Sequence, residues 1–262
     1  GDYSHRFPYN DLEALEKLLQ ELEGKAACII MEATSRIHPK DGYLQGVREL
    51  ADKYKVILIF DEIVTGFRFH RGGYQSVCGV TPDLACFSKA MGNGVPISAL
   101  VGKRNVMEKC TEIFYSLTFA GETLSLAAAK AVMEVMDEEN VPQVIEENGQ
   151  YFIDGMNSQI NKYGLQDTVV VEGYPCRSVM IFRDANDIPA TDTRTYWIQE
   201  LTKKGILTAG YHIVSFAHKK PEIDFLLTRY DQVFADIKSS LDDGTLSEKL
   251  QCPSAKLSAR DL

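Results

Sequence analysis

At 262 residues, with 45% hydrophobic and 25% charged side chains, the chain has the composition of a globular protein and can hold one large or two modest domains. A net charge of −9 argues against nucleic acid as the main partner, because phosphate backbones call for a basic surface. No apolar run reaches the roughly 18 residues of a membrane span, no signal-peptide pattern opens the chain, and the scattered cysteines, without a CxxC pair, read as small core residues of a reducing compartment. Cytoplasm is the expected location, with no membrane partner.

In chain order, Asn10 is placed to cap a helix over 11–22, where Leu12, Leu15, Leu18, Leu19 and Leu22 recur at helical spacing. Gly24 ends it, and Ala26 to Met31 reads as a buried strand closing on Glu32. A second amphipathic helix is expected over 42–54, followed by the apolar run Val56 to Phe60. Five consecutive apolar residues suit a strand buried on both faces, and strand–helix–strand at this spacing implies a parallel pair with a right-handed crossover.

The run at Val56 ends on Asp61-Glu62, and a second run, Leu84 to Phe87, ends on Ser88-Lys89 before the flexible Gly92-Asn93-Gly94. Ligands of open α/β sheets collect at the carboxyl ends of the strands, so an acid and an amine are expected at neighbouring ends. Beyond them a short strand is expected over 97–101, a short helix over 105–110, an irregular segment over 111–121 and a long helix over 123–136, resuming from 141 to 163. After Gly164 the texture becomes α+β: strands over 168–171, 178–182 and 205–208, a helix over 192–204 and a final helix over 221–241.

Three segments in order, Asp61-Glu62-Ile63-Val64-Thr65-Gly66-Phe67-Arg68, Gly79 to Leu84, and Ser88-Lys89-Ala90-Met91-Gly92-Asn93-Gly94-Val95-Pro96, resemble the class-III aminotransferases, and within them the glutamate-1-semialdehyde aminomutase branch. The similarity runs from about Tyr9 to Ser239. It implies an α/β fold: the C-terminal part of the fold-type-I large domain, a mostly parallel sheet with helices, over 1–162, then a smaller α+β C-terminal domain over 163–241; the tail over 242–262 lacks periodicity and is expected to be mobile. It also implies that an N-terminal portion of the family pattern, with a phosphate-binding loop and substrate-gripping residues, lies outside this sequence, so the chain is read as a fragment.

The resemblance further implies pyridoxal phosphate (PLP) as cofactor and a homodimer. Lys89 takes the role of the Schiff-base lysine, since a strand-end amine that is partly desolvated is a nucleophile. Asp61 is implied to hold the pyridine nitrogen protonated so that the ring serves as an electron sink. Ile63, two residues on in extended chain, faces the same way as Asp61 and is implied to pack on the ring, whereas Glu62 points the other way and reads as structural. Thr118 matches a threonine that binds the cofactor phosphate of the neighbouring subunit, but Leu117 and Glu122-Thr123 depart from the pattern there, and a carboxylate near a phosphate is unfavourable. Glu32 is placed either near the cofactor or as a buried structural acid, Arg68 braces its loop, and His212 and His218 read as structural.

The activity this points to is amino transfer between an amino compound and an oxo compound through Lys89. Two alternatives stay open: an intramolecular aminomutase acting on glutamate-1-semialdehyde, and a non-catalytic fragment or homologue that retains the fold. Five histidines without clustered spacing give no zinc signature, and neither a GxSxG elbow nor a Walker loop is present.

Overall fold

The computed structural model describes residues 3–114 and 116–255. The chain forms two compact units, one up to Pro142 and one from Gln143.

In the first unit, α1 (Leu12–Glu21) precedes β1 (Cys28–Met31), α2 (Tyr43–Tyr54) and β2 (Ile57–Asp61). A short helix, α3 (Gln75–Cys78), leads to β3 (Leu84–Phe87), then β4 (Ala99–Gly102), the four-residue α4 (Arg104–Met107) and α5 (Thr123–Glu138). The sheet order is β1-β2-β3-β4. The first three strands are parallel and β4 runs antiparallel to β3, giving the expected mostly parallel sheet with helices.

Leu58 and Phe60 are fully buried, each stabilising by about 1.5–3 kcal/mol. Burial on both faces of β2 is not realised. Ile57 and Ile59 are only half-buried, and Ile30 and Leu100 on the flanking strands are 59% and 42% exposed. The apolar run reflects a sheet whose second face the described residues leave largely uncovered.

Asp83 locks the sheet. Its carboxylate is almost fully buried, accepts the backbone N–H of Leu58 at 2.7 Å, and pairs with Arg48 of α2 at 2.9 Å and Lys103 at 2.7 Å. Helix, central strand and edge strand therefore converge on one acid. Asn10 is not the cap of α1. Asp11 is, accepting from Ala14 N at 2.9 Å, while Asn10 bridges to His38 O and Lys40 N at 2.9 and 2.8 Å, a long-range use of its amide that no local pattern announces.

The second unit contains all but the first two residues of α6 (Val141–Lys162), then β5 (Val169–Tyr174), β6 (Arg177–Phe182), α7 (Ala190–Lys203), β7 (Tyr211–His212) and α8 (Lys220–Asp242). Its sheet is antiparallel in the order β5-β6-β7. The strand expected over 205–208 is absent, and residues 211–212 pair with β6 instead.

The domain boundary expected after residue 162 falls earlier, because α6 packs with the strands and helices C-terminal to it. Gln159 donates to Leu227 O at 2.8 Å and Asn148 to His218 O at 3.0 Å, and a Cβ at Gly149 would collide with the Pro175 backbone. The expected tail is also packed through residue 255. Leu246 is fully buried, Gln251 N donates to Gln199 Oε1 at 2.7 Å and Ala255 N to Thr195 Oγ1 at 2.9 Å. The rest of that tail, 256–262, lies outside the described residues.

Candidate active site

Asp61 is the last residue of β2 and pairs with Cys86 of β3 in the parallel ladder. Lys89 follows three residues after Cys86, so acid and amine emerge from neighbouring parallel strands at the same, carboxyl, edge of the sheet. One carboxylate oxygen of half-buried Asp61, Oδ1, accepts the Ile63 N–H at 3.0 Å. Among the described residues no hydrogen bond engages the second oxygen.

Beyond Asp61 the chain turns, so strand alternation no longer sets the direction of Ile63; that residue is half-buried within the turn. Glu62 continues the buried side of β2 with Leu58 and Phe60 and is 0% exposed. Its carboxylate accepts the N–H groups of Tyr74 and Gln75 at 2.8 and 2.9 Å and the Thr65 hydroxyl. It has the structural role expected of it, but its partners, 12 and 13 residues downstream, could not be read from the motif.

Lys89 opens a short 3₁₀ turn, Lys89–Met91, with φ of +46°. A side-chain-bearing residue held in the left-handed region stores strain of order 1 kcal/mol, a cost that clusters at functional sites. The preceding Ser88 pins the loop by donating its hydroxyl to Ile97 O at 2.7 Å, an anchor that no motif in the sequence announces. The expected desolvation of the amine is not realised: Lys89 is exposed, because β3 ends at Phe87 and the turn projects past the sheet edge with nothing among the described residues covering it.

Thr118 is exposed in a turn ahead of α5. It lines a cleft of about 790 Å³ together with Ser88, Ile97, Glu122, Ser125 and Met133. Neither Asp61, Ile63 nor Lys89 lines this cleft, so Thr118 is not gathered into their group within the chain. At the head of α5 the anion-binding N–H groups are already engaged. Glu122 accepts from Leu124 N at 2.7 Å and Ser125 N at 2.8 Å; the Ser125 side chain foremost, then these two N–H groups, hold its carboxyl below the usual range. The conflict between a carboxylate and a phosphate thus takes a concrete form: the acid occupies the place an anion would need.

His212 and His218 lie in the second unit. His212 is buried between Ser178 Oγ and Tyr230 O–H, each 3.1 Å away, and His218 Nδ1 accepts from Ser215 N at 3.0 Å. Among the described residues no group of three or more His, Cys, Asp or Glu side chains could hold a metal, and no helix is long and apolar enough to cross a membrane.

The model of the aminotransferase class-III family matches residues 3–229. The chain belongs to the class-III aminotransferase family. It is similar to the glutamate-1-semialdehyde 2,1-aminomutase of Syntrophobacter fumaroxidans, 31% identical over 89% of this chain and 58% of that protein. It is equally similar to the 3-aminobutyryl-CoA aminotransferase of Cloacimonas acidaminovorans, 31% identical over 90% of this chain and 59% of that protein. Among solved structures, the FumI protein of Sphingopyxis sp. MTA144 superposes with a TM-score of 0.82 at 24% identity, covering 94% of this chain and 59% of that one, a likeness of fold. The chain therefore spans just under three-fifths of the length of these proteins.

Proposed function

We propose that the protein carrying this chain is a PLP-dependent aminotransferase, moving an amino group between an amino compound and an oxo compound. The observation that carries the reading is the emergence of Asp61 and Lys89 from neighbouring parallel strands at one edge of the sheet, in a chain of the class-III family. When bound, PLP supplies an electron sink for charge developing at the substrate α-carbon.

The donor set fits that cofactor at this edge. Asp61, with Oδ1 committed to Ile63 N, keeps its other oxygen to hold a proton on the pyridine nitrogen. The Lys89 amine would hold the cofactor's aldehyde carbon, and as a base it would move a proton at the substrate α-carbon. Ile63 offers an aliphatic surface to the ring. Thr118 is assigned to the phosphate of a neighbouring subunit, with Glu122 as the obstacle.

A homodimer is supported by the exposed apolar cluster Ile113, Phe114, Leu117, Phe119, Leu124 and Leu126 around that loop, since a patch of this kind marks an interface. The free, scattered cysteines support a cytoplasmic location.

The aminomutase reading draws on the Syntrophobacter relative, but an aminotransferase of equal identity stands beside it, so the broader activity is the conclusion. The non-catalytic reading draws on exposed Lys89 and self-capped α5. One experiment separates these readings: the full-length protein, given PLP, is expected to absorb in the visible and to consume an amino donor, and Lys89→Ala to lose both. A wild-type protein that takes up no PLP supports the non-catalytic reading. An unchanged band in the variant removes Lys89 from its role. Product analysis with glutamate-1-semialdehyde distinguishes mutase from transferase.

A further inference from the structure

Glu62 does more than fill the core beneath the sheet edge. Its backbone N–H donates to Cys86 O at 3.0 Å and its carbonyl accepts from Gly66 N at 2.8 Å. Its carboxylate takes the Thr65 hydroxyl and the N–H groups of Tyr74 and Gln75. One residue thus ties together the end of β3, the 63–66 turn and the head of α3. Gly73 has φ of +82°, and a Cβ there would overlap the Glu62 carboxyl, so the loop is shaped around this acid.

The turn so closed is the one that holds Asp61, whose Oδ1 accepts the Ile63 N–H inside it. A carboxylate buried from solvent only accepts, and so gives three converging donors one consistent arrangement; an amide would turn an N–H toward some of them.

We infer that Glu62 is a positioning residue that sets the direction of the Asp61 carboxylate and the place of Ile63, and thereby how firmly a bound heteroaromatic aldehyde is held and how its ring nitrogen is protonated. The inference rests on the PLP reading above. Asp61 touches the ring; Glu62 acts through it.

The test uses the full-length protein and two near-isosteric variants, Glu62→Gln and Thr65→Val. Three quantities are read: the PLP dissociation constant, the pH midpoint of the visible band, and the melting temperature without PLP. Glu62→Gln is expected to weaken PLP binding about tenfold, the cost of one mis-set buried hydrogen bond, and to move the pH midpoint of the band. Thr65→Val is expected to shift both in the same direction by less. If both variants keep the wild-type PLP affinity and band midpoint while melting lower, Glu62 is a stabilising residue only and the inference is overturned. If Glu62→Gln does not fold, Thr65→Val decides by the same criteria. A wild-type protein without any visible band overturns the PLP reading itself and this inference with it, an outcome distinct from an altered variant of a normal wild type.

Discussion

The Nε2 of His212 and the phenol oxygen of Tyr230 lie 3.1 Å apart inside the second unit, both groups buried. The other ring nitrogen faces Ser178 Oγ at 3.1 Å, and Phe152 and Trp197 close around the imidazole with ring centroids at 5.1 and 6.4 Å. Burial pushes the His212 pKa down from 6.5 to about 4, and the same burial raises that of Tyr230. The unfolded chain therefore binds more protons than the folded one between pH 6.5 and 4.

Stability should accordingly fall as pH drops through that window, by up to about 3 kcal/mol from this group, and level off below it. Urea titrations at pH 7 and pH 5 check this. A His212→Phe protein, although weaker at pH 7 through loss of two hydrogen bonds, should have a flatter slope. An identical slope in the variant removes His212 as the cause.

Asp83 acts over a more acid range. Burial raises its carboxyl, but Lys103, the Leu58 N–H and Arg48 together outweigh that and leave it lowered. Its contribution is present above the ordinary carboxylate range and is lost as pH falls below about 4. Asp83→Ala leaves Arg48 without its buried partner and releases a β2 N–H, and should cost about 3 kcal/mol at pH 7, read as a lower urea midpoint for the first unit.

The left-handed backbone of Lys89, φ +46°, separates its chemistry from its cost. Lys89→Gly should be about 1 kcal/mol more stable than Lys89→Ala, because only glycine adopts this region without a penalty, while neither variant develops the visible band with PLP. Thermal melts of the two variants measure the difference, and equal stability would mean the turn relaxes on substitution.

At the head of α5, Glu122→Gln should lower the melting temperature, since a charged acceptor on Leu124 N and Ser125 N is lost. The same change should strengthen inorganic phosphate or PLP binding several-fold, seen by competition titration. Unchanged anion affinity would mean that Glu122 is a cap and nothing more.

The apolar runs at 56–60 and 84–87 and the residues that end them were enough to place an acid and a lysine at one sheet edge, because a strand and its end are written in consecutive residues; burial of its second face is not. The helices followed from their own periodicity, within a residue or two at α7 and α8, except the short α3, which was not expected. The fate of Asn10, drawn off to His38 and Lys40, and the exchange of a strand at 205–208 for one at 211–212 were not legible, since both depend on partners distant in the chain.

Only the tertiary structure decided that α6 belongs with the second unit, that the chain beyond 242 packs back as far as 255, and that Lys89 stands in the open. It also decided the clasp around Glu62, whose carboxylate takes the N–H groups of Tyr74 and Gln75. Local periodicity tells which face of an element seeks the core. Which donor meets which buried carboxylate is set by chain crossings a dozen or more residues apart, and those exist only once the chain is folded.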